Sequence, residues 1–304
     1  MWPARLSLLA TPTPTGSDRR AVTEGLVVVD KPADWTSHDV VARLRRIAGT
    51  RRVGHAGTLD PMATGVLIVG VGRATRLLGY LARDDKDYLA SIRLGARTTT
   101  DDAEGELIEV RDAGSVTDAI LQAEMRALTG EIEQVPSSVS AIKVDGVRAY
   151  ARVRAGDEVK LAARPVRVDR FDLLRRDGDD LEVTVTCSTG TYVRALARDL
   201  GQALGVGAHL TALRRTRVGR FGLDQARTLD ALEADFSAVS LAAAVDGAFA
   251  RVTVSEEEAR RIGHGQRLAL ALTGSPAGVF APDGRVVALV EDRDGVAQPL
   301  CVFE

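Results

Sequence analysis

Apolar and polar positions along the chain alternate between two rhythms. Gly25 to Asp30 is a β-branched run closed by Lys31-Pro32, which predicts a buried strand. Val40, Val41, Leu44 and Ile47 follow at helical spacing, with Ser37 as the expected N-cap and Gly49 at the helix end. Residues 50–65 hold Gly54, Gly57, Pro61 and Gly65 and read as loop, before a second buried strand over Val66 to Val71 and a short helix over Ala74 to Leu81. Tyr88 to Leu94 alternates as a strand, Thr99 to Glu106 reads as loop, and Thr117 caps a helix reaching Leu128, stopped by Gly130. A strand over Ser140 to Val144 ends at the turn signal Asp145-Gly146. Two more strands, Val166 to Leu174 and Leu181 to Cys187, join across Asp177-Gly178-Asp179, and a helix is expected over Thr191 to Leu204.

Strands and helices mix without a regular βαβ beat, so the fold class is α+β around a mixed, mostly antiparallel sheet flanked by helices. A boundary falls near residues 246–251. Beyond it an amphipathic stretch, Glu256 to Ile262, precedes short strand patterns at Leu268 to Leu272, Gly278 to Ala281 and Val286 to Val290. The expected organisation is a disordered tail over 1–23, or upstream sequence from a misplaced start, then a catalytic domain over 24–247 and a small β-rich domain over 248–304.

Composition narrows the function classes. With 304 residues, 45% hydrophobic and 27% charged, the chain is an ordinary globular protein. Two cysteines are too few for a disulfide framework, and four histidines without metal-ligand spacing argue against a metal centre. No apolar run has membrane-span length, and a reducing cytoplasm is the expected compartment. The net charge of −2 argues against a nucleic-acid binder overall, but it conceals two arginine clusters. One is Arg43, Arg45, Arg46, Arg51 and Arg52 with His55; the other is Arg214, Arg215, Arg217 and Arg220. Each reads either as solvated surface or as a set of phosphate contacts.

The densest segment is Gly54-His55-Ala56-Gly57-Thr58-Leu59-Asp60-Pro61. Asp60 there is either a turn residue accepting backbone N–H groups or a carboxylate held rigid for nucleophilic attack. Arg194, in Gly190-Thr191-Tyr192-Val193-Arg194, is either a surface helix arginine or the partner that keeps such a carboxylate ionised. Tyr88 on its own reads as a core aromatic. Gly70-Val71-Gly72-Arg73-Ala74-Thr75 begins like a dinucleotide fingerprint, but threonine stands where the third glycine belongs.

Taken together, ordered segments across residues 24–220 resemble one family, the TruB-type tRNA pseudouridine-55 synthases. They are Asp30-Lys31-Pro32 with Thr36-Ser37, the Gly54 to Leu67 segment with its Gly-Thr-Leu-Asp-Pro, and Lys86-Asp87-Tyr88 with Leu94-Gly95. Gln134-Val135-Pro136 with Ser140 to Lys143, Gly190 to Arg194, and Ala208 to Thr216 complete the set. The resemblance implies a pseudouridine-synthase-like core with a PUA-like C-terminal domain. It implies isomerisation of uridine 55 in the T loop of tRNA by base flipping. By the same resemblance Asp60 is the catalytic aspartate, Arg194 its ion-pair partner and Tyr88 the aromatic that stacks on the base and assists proton transfer. Tyr192 and Leu213 line the base pocket, His55 enters the T loop, and Lys31 is a motif lysine near the site. The implied partner is the T arm of tRNA, met by a monomer with no metal, no nucleotide cofactor and no membrane. The alternative is a non-catalytic RNA-binding or tRNA-folding protein on the same scaffold. Departures from the family pattern are Asp34, where glycine is common, and Ser137 and Val139, where proline and tyrosine are common.

Overall fold

The computed structural model describes residues 24–137, 143–144, 147–148 and 161–303. The expected tail over 1–23, the turn at Asp145-Gly146, Val139 and the first part of the Ser140 to Val144 strand lie outside the described residues. The first half of the chain forms β1 (Gly25–Lys31), α1 (Ser37–Ile47), β2 (Val53–Ala56), β3 (Thr64–Val71), α2 (Leu78–Leu81) and β4 (Lys86–Leu94). A hairpin of β5 (Ala96–Thr98) and β6 (Leu107–Val110), then α3 (Asp118–Ala127) and β7 (Gly130–Gln134), continue it. Two short strands, β8 (Lys143–Val144) and β9 (Val147–Arg148), pair with each other. Next come β10 (Arg164–Asp177), β11 (Asp180–Cys187), α4 (Val193–Ala203), β12 (Ala208–Val218) and β13 (Phe221–Gly222). Helices α5 (Leu229–Ala234) and α6 (Leu241–Ala248) lead to β14 (Ala250–Thr253), α7 (Glu256–Gly263), β15 (Ala277–Phe280), β16 (Val286–Arg293) and β17 (Val296–Val302).

The main sheet runs β1-β3-β12-β4-β11-β10-β7, with β2 on β3 and β13 on β12. Every pairing in it is antiparallel except the short parallel contact of β3 with β12, so the expected mixed, mostly antiparallel sheet is what forms. That one parallel seam joins two antiparallel halves. β1, β2 and β3 carry the Asp60 loop; β4, β12 and α4 carry the groups that face it. The halves have separate cores: one packs Tyr88, Leu196, Leu200 and Leu213 with Leu59, and another packs α1 through Val40, Val41 and Leu44 against β1 and β3. Burying each such side chain stabilises by about 1.5–3 kcal/mol, so each half holds its own groups in place.

Three expectations change. Thr36, not Ser37, is the N-cap of α1: its side chain and that of Asp39 form a reciprocal capping box. Ser37 is buried and used elsewhere, as described below. Residues 50–65 are not all loop, because Val53–Ala56 adds a strand to β3. Leu268 to Leu272 is not a strand; only Leu268 bridges to Ala297. The C-terminal sheet, β14-β15-β16-β17, lies against the main body. Phe280, Leu289 and Phe303 share a core with Leu26, Ile68 and Leu77. Arg73 and Arg76 donate to the carbonyls of Phe303 and Val302 across that contact.

Candidate functional site

Asp60 sits on the connection between β2 and β3, and nearly every residue of that connection is held from below. The Ser37 hydroxyl bonds both the Leu59 N–H, at 2.9 Å, and the Leu59 carbonyl, at 3.1 Å. Lys31, fully buried, donates all three ammonium protons to carbonyls: Pro32 at 2.8 Å, Trp35 at 2.6 Å and Pro61 at 3.0 Å. The Asp34 N–H also donates to Pro61, at 2.9 Å, from a backbone with φ of 64°. Aspartate tolerates that left-handed angle, so this turn survives without the glycine common there. Arg215 holds the other end of the loop through the carbonyls of Gly57, at 2.9 Å, and Thr58, at 3.5 Å. Gly65 closes the seam to β12: a Cβ there would lie 2.2 Å from the Arg215 carbonyl oxygen, which requires glycine. Asp60 is therefore presented on a loop fixed at both ends.

Arg194, in the first turn of α4, points its guanidinium at this loop. Its Nε lies 3.0 Å from Asp60 Oδ2, and its Nη1 lies 3.2 Å from Asp102 Oδ2 and donates to the Thr100 carbonyl at 3.1 Å. The arginine is 4% exposed, whereas the Asp60 side chain remains 37% exposed, so the carboxylate presents one face outward. Asp102 is buried and fixed in turn by the Thr100 hydroxyl and the Glu104 N–H. Burial pushes the Asp60 carboxyl above the usual carboxylate range, Arg194 opposes that, and the neighbouring Asp102 adds to it. One guanidinium thus bridges two carboxylates, and it favours the ionised form of Asp60.

The apolar lining comes from the facing strands. Tyr88 and Leu213 belong to the buried cluster that also contains Leu59 and Ala63 on either side of Asp60. Burial pushes the Tyr88 hydroxyl up, with Arg215 opposing and Asp60 adding to the rise. Tyr192 is the N-cap of α4, two residues before Arg194. Gln134, 1% exposed, exchanges hydrogen bonds with both the N–H and the carbonyl of Tyr192, and the Arg164 guanidinium lies over its ring at 5.1 Å. His55, half-buried on β2, packs edge-on to His38, with ring centroids 5.4 Å apart. Asp60 and Arg194 therefore touch directly. Tyr88 and Leu213 share the buried cluster of Leu59 and Ala63, Tyr192 opens the helix of Arg194 with its ring under Arg164, Lys31 anchors the loop, and His55 lies on β2.

Comparison with known proteins decides the family. A model described as the N-terminal domain of the TruB family pseudouridylate synthases matches residues 45–193. A TruB C-terminal model matches 194–245, and one described as the C terminus of tRNA pseudouridine synthase II matches 249–304. A tRNA pseudouridine synthase B of Thermobifida fusca is 61% identical over 288 residues, covering 92% of this chain and 98% of that protein. The chain belongs to the TruB family. The synthase B of an Arthrobacter species is 56% identical, with 92% and 96% covered. In structure, the chain is similar to one in a crystal structure of a Cbf5-Nop10-Gar1 complex. The TM-score is 0.75 at 26% identity, over 93% of this chain and 86% of that one.

Within this TruB-family frame, three residues that hold the site had not stood out in the sequence. Asp102 lay in a polar loop of many carboxylates, and Gln134 was a motif residue without a role. Arg215 was counted in an arginine cluster read either as solvated surface or as phosphate contacts, and it is neither exposed nor free. Arg215 is 1% exposed; Arg214 pairs with Asp30 at 2.8 Å and Arg217 with Asp87 at 2.6 Å; Arg220 donates to the Gly247 carbonyl. Their charges serve the protein itself. Among the described residues, no group of three or more His, Cys, Asp or Glu side chains is arranged to hold a metal, and no helix is long and apolar enough to cross a membrane.

Proposed function

We propose that this TruB-family enzyme converts uridine to pseudouridine at position 55, in the T loop of tRNA, with Asp60 as the nucleophile. The observation that carries the reading is the 3.0 Å pair of Asp60 with buried Arg194, on a loop held by Ser37, Lys31 and Arg215. The reaction is an isomerisation. The C1′–N1 bond breaks, the base turns while bound, C5 bonds to C1′, and the C5 proton leaves. It needs no redox partner and no group donor, so an ionised carboxylate in a shaped pocket suffices. Attack on C1′, attack on C6 and assisted elimination all call on the same Asp60 oxygen.

The target base has to leave its stack, at a cost of a few kcal/mol. Tyr88, Tyr192 and Leu213 enclose the extruded base, and His55 enters the space it vacates. Phosphate contacts offset the cost. Arg46, Arg51 and Arg52 suit that role: they are exposed, and their guanidiniums have no hydrogen-bond or ion-pair partner among the described residues. In this reading residues 24–247 are the catalytic unit and 248–304 a PUA-like unit. A monomer acts on the T arm in the cytoplasm, without metal or nucleotide cofactor.

The test is an unmodified tRNA transcript incubated with the purified protein alone, then carbodiimide labelling and primer extension. A new stop at the T-loop uridine is the expected result. A stop elsewhere in the tRNA overturns the position, and no stop despite tRNA binding overturns the reaction.

A further inference from the structure

We propose that Arg215 is a positioning residue that ties Tyr88 to the Asp60 loop and so fixes the two across the base pocket. The proposal rests on the reading of Tyr88 as a catalytic group. Among the described residues, Arg215 is the largest fully buried side chain. A buried guanidinium without a carboxylate is unfavourable for stability, and cores usually do better with an apolar residue of similar size. Among the described residues, no carboxylate pairs with Arg215. Its Nε donates to the Val66 carbonyl at 2.7 Å, Nη2 to Gly57 at 2.9 Å and Nη1 to Thr58 at 3.5 Å. All three acceptors belong to the segment that carries Asp60 or to the strand that follows it. The planar fork of arginine can span them; a lysine ammonium is a single point.

The other end of the link is set by register. Arg215 lies directly opposite Tyr88 in the antiparallel pairing of β12 with β4, and Leu213 lies opposite Ala90. Directly opposed side chains leave the same face of a sheet with Cβ atoms roughly 4.5–5.5 Å apart. Irregularities in the pairing on either side, between Leu210 and Ala212 and between Arg215 and Arg217, re-aim β12 over this stretch. Leu213 and Arg215 therefore both face the pocket side with Tyr88, while Arg217 turns to Asp87. Arg215 therefore lies beside Tyr88 on one face of the sheet, where its charge opposes the rise that burial gives the Tyr88 hydroxyl. One guanidinium thus holds the Asp60 loop at two carbonyls from the strand position directly opposite Tyr88. Moving Tyr88 moves the Asp60 loop with it.

The test is a double-mutant cycle on single-turnover pseudouridine formation, with Tyr88→Phe, Arg215→Lys and the pair. The tRNA Kd and Tm of each variant are measured alongside. Arg215→Lys is expected to slow the chemical step about 10-fold or more while tRNA affinity stays within about 3-fold; in the Tyr88→Phe background the same change costs about 3-fold or less. Equal, multiplying losses in the two backgrounds overturn the coupling, as does a loss of affinity in place of rate. A wild-type rate in Tyr88→Phe alone overturns the catalytic reading of Tyr88 and the proposal with it. A wild-type rate in Arg215→Lys beside a slow Tyr88→Phe overturns the proposal only. Should Arg215→Lys fail to fold, the wild-type protein still decides by side-chain nitrogen NMR. Resolved, slowly exchanging Arg215 Nη protons that shift in Tyr88→Phe support the link. Averaged, unshifted protons overturn it.

Discussion

The two arginine-rich segments look alike in sequence and end in opposite places. On β12, Arg214, Arg215, Arg217 and Arg220 lie in or just beyond a central strand, and each guanidinium meets a carboxylate or a carbonyl of the protein. On α1, Arg43 and Arg45 are satisfied by Glu233 and the Val53 carbonyl. Arg46, Arg51 and Arg52 stay exposed, with guanidiniums unpaired among the described residues. The difference is location in the sheet. β12 is flanked by β3 and β4, so its arginines must be neutralised or hydrogen-bonded within the fold. Residues 46–52 connect a surface helix to a strand paired with β3 alone, where a free cation costs nothing to solvate. Positive charge that the fold leaves unpaired is the part most readily available to a phosphate backbone.

The comparison can be broken or sharpened by substitution. The largest effect belongs to the site that the β12 arginines support. Asp60→Asn is expected to lose turnover by on the order of 10³-fold or more, as removal of a nucleophile does, with tRNA binding intact. Its thermal stability at neutral pH is not expected to fall. Burial raises the Asp60 pKa, so the folded state loses stability as pH rises through the window between the unfolded and folded values, and asparagine removes that loss. A clear drop in Tm contradicts this. Next, Arg194→Lys keeps a charge but not the fork that spans Asp60 and Asp102, and about a 10²-fold loss in rate is expected; a near-normal rate counts against the pairing. The exposed trio comes third. Arg46→Ala, Arg51→Ala and Arg52→Ala combined should weaken tRNA binding and lower the salt slope by about one unit per arginine. Arg217→Ala should leave the salt slope alone and cost roughly 1 kcal/mol or less of stability, because its pair with Asp87 is partly exposed. If the salt slope follows Arg217 and ignores the trio, the contrast between the two segments is wrong.

A pH profile reads the loop anchors. On the proposed mechanism attack needs ionised Asp60, whose pKa is raised, so the acid limb of kcat/KM should lie above the ordinary aspartate range, and activity is lost as pH falls through it. Lys31 is pulled down to about 8 by burial, and its three donors hold three carbonyls only while it is charged. Activity should therefore fall as pH rises through about 8, and Lys31→Arg should move that limb upward. An alkaline limb unmoved in Lys31→Arg excludes the lysine as its source.

Much of this was legible in the residues. Valine-rich β1 and β3, the Leu-and-Ala face of α4 and the alternation of β4 announced the layers, and the Gly-Thr-Leu-Asp-Pro segment announced the loop that presents Asp60. The central strand did not announce itself. Four arginines near the end of Ala208 to Arg220 hid its alternation, because sequence cannot show which side chains will find partners across a sheet. Asp102 was hidden for the same reason: it reaches Arg194 from a loop ninety-two positions away, through the pairing of its own segment with Leu210. Ser37 was legible as a helix-start residue and is used instead to pin Leu59, a contact made only by tertiary packing.

The central claim is that the carboxylate of Asp60 does the chemistry. The most direct measurement is single-turnover tritium release from tRNA carrying [5-³H]uridine, because forming the C5–C1′ bond expels that hydrogen. Wild-type protein should release the label of its target uridine without any added cofactor. Asp60→Asn should bind the same tRNA with similar affinity and release none. Release by Asp60→Asn at a rate near that of the wild type contradicts the account.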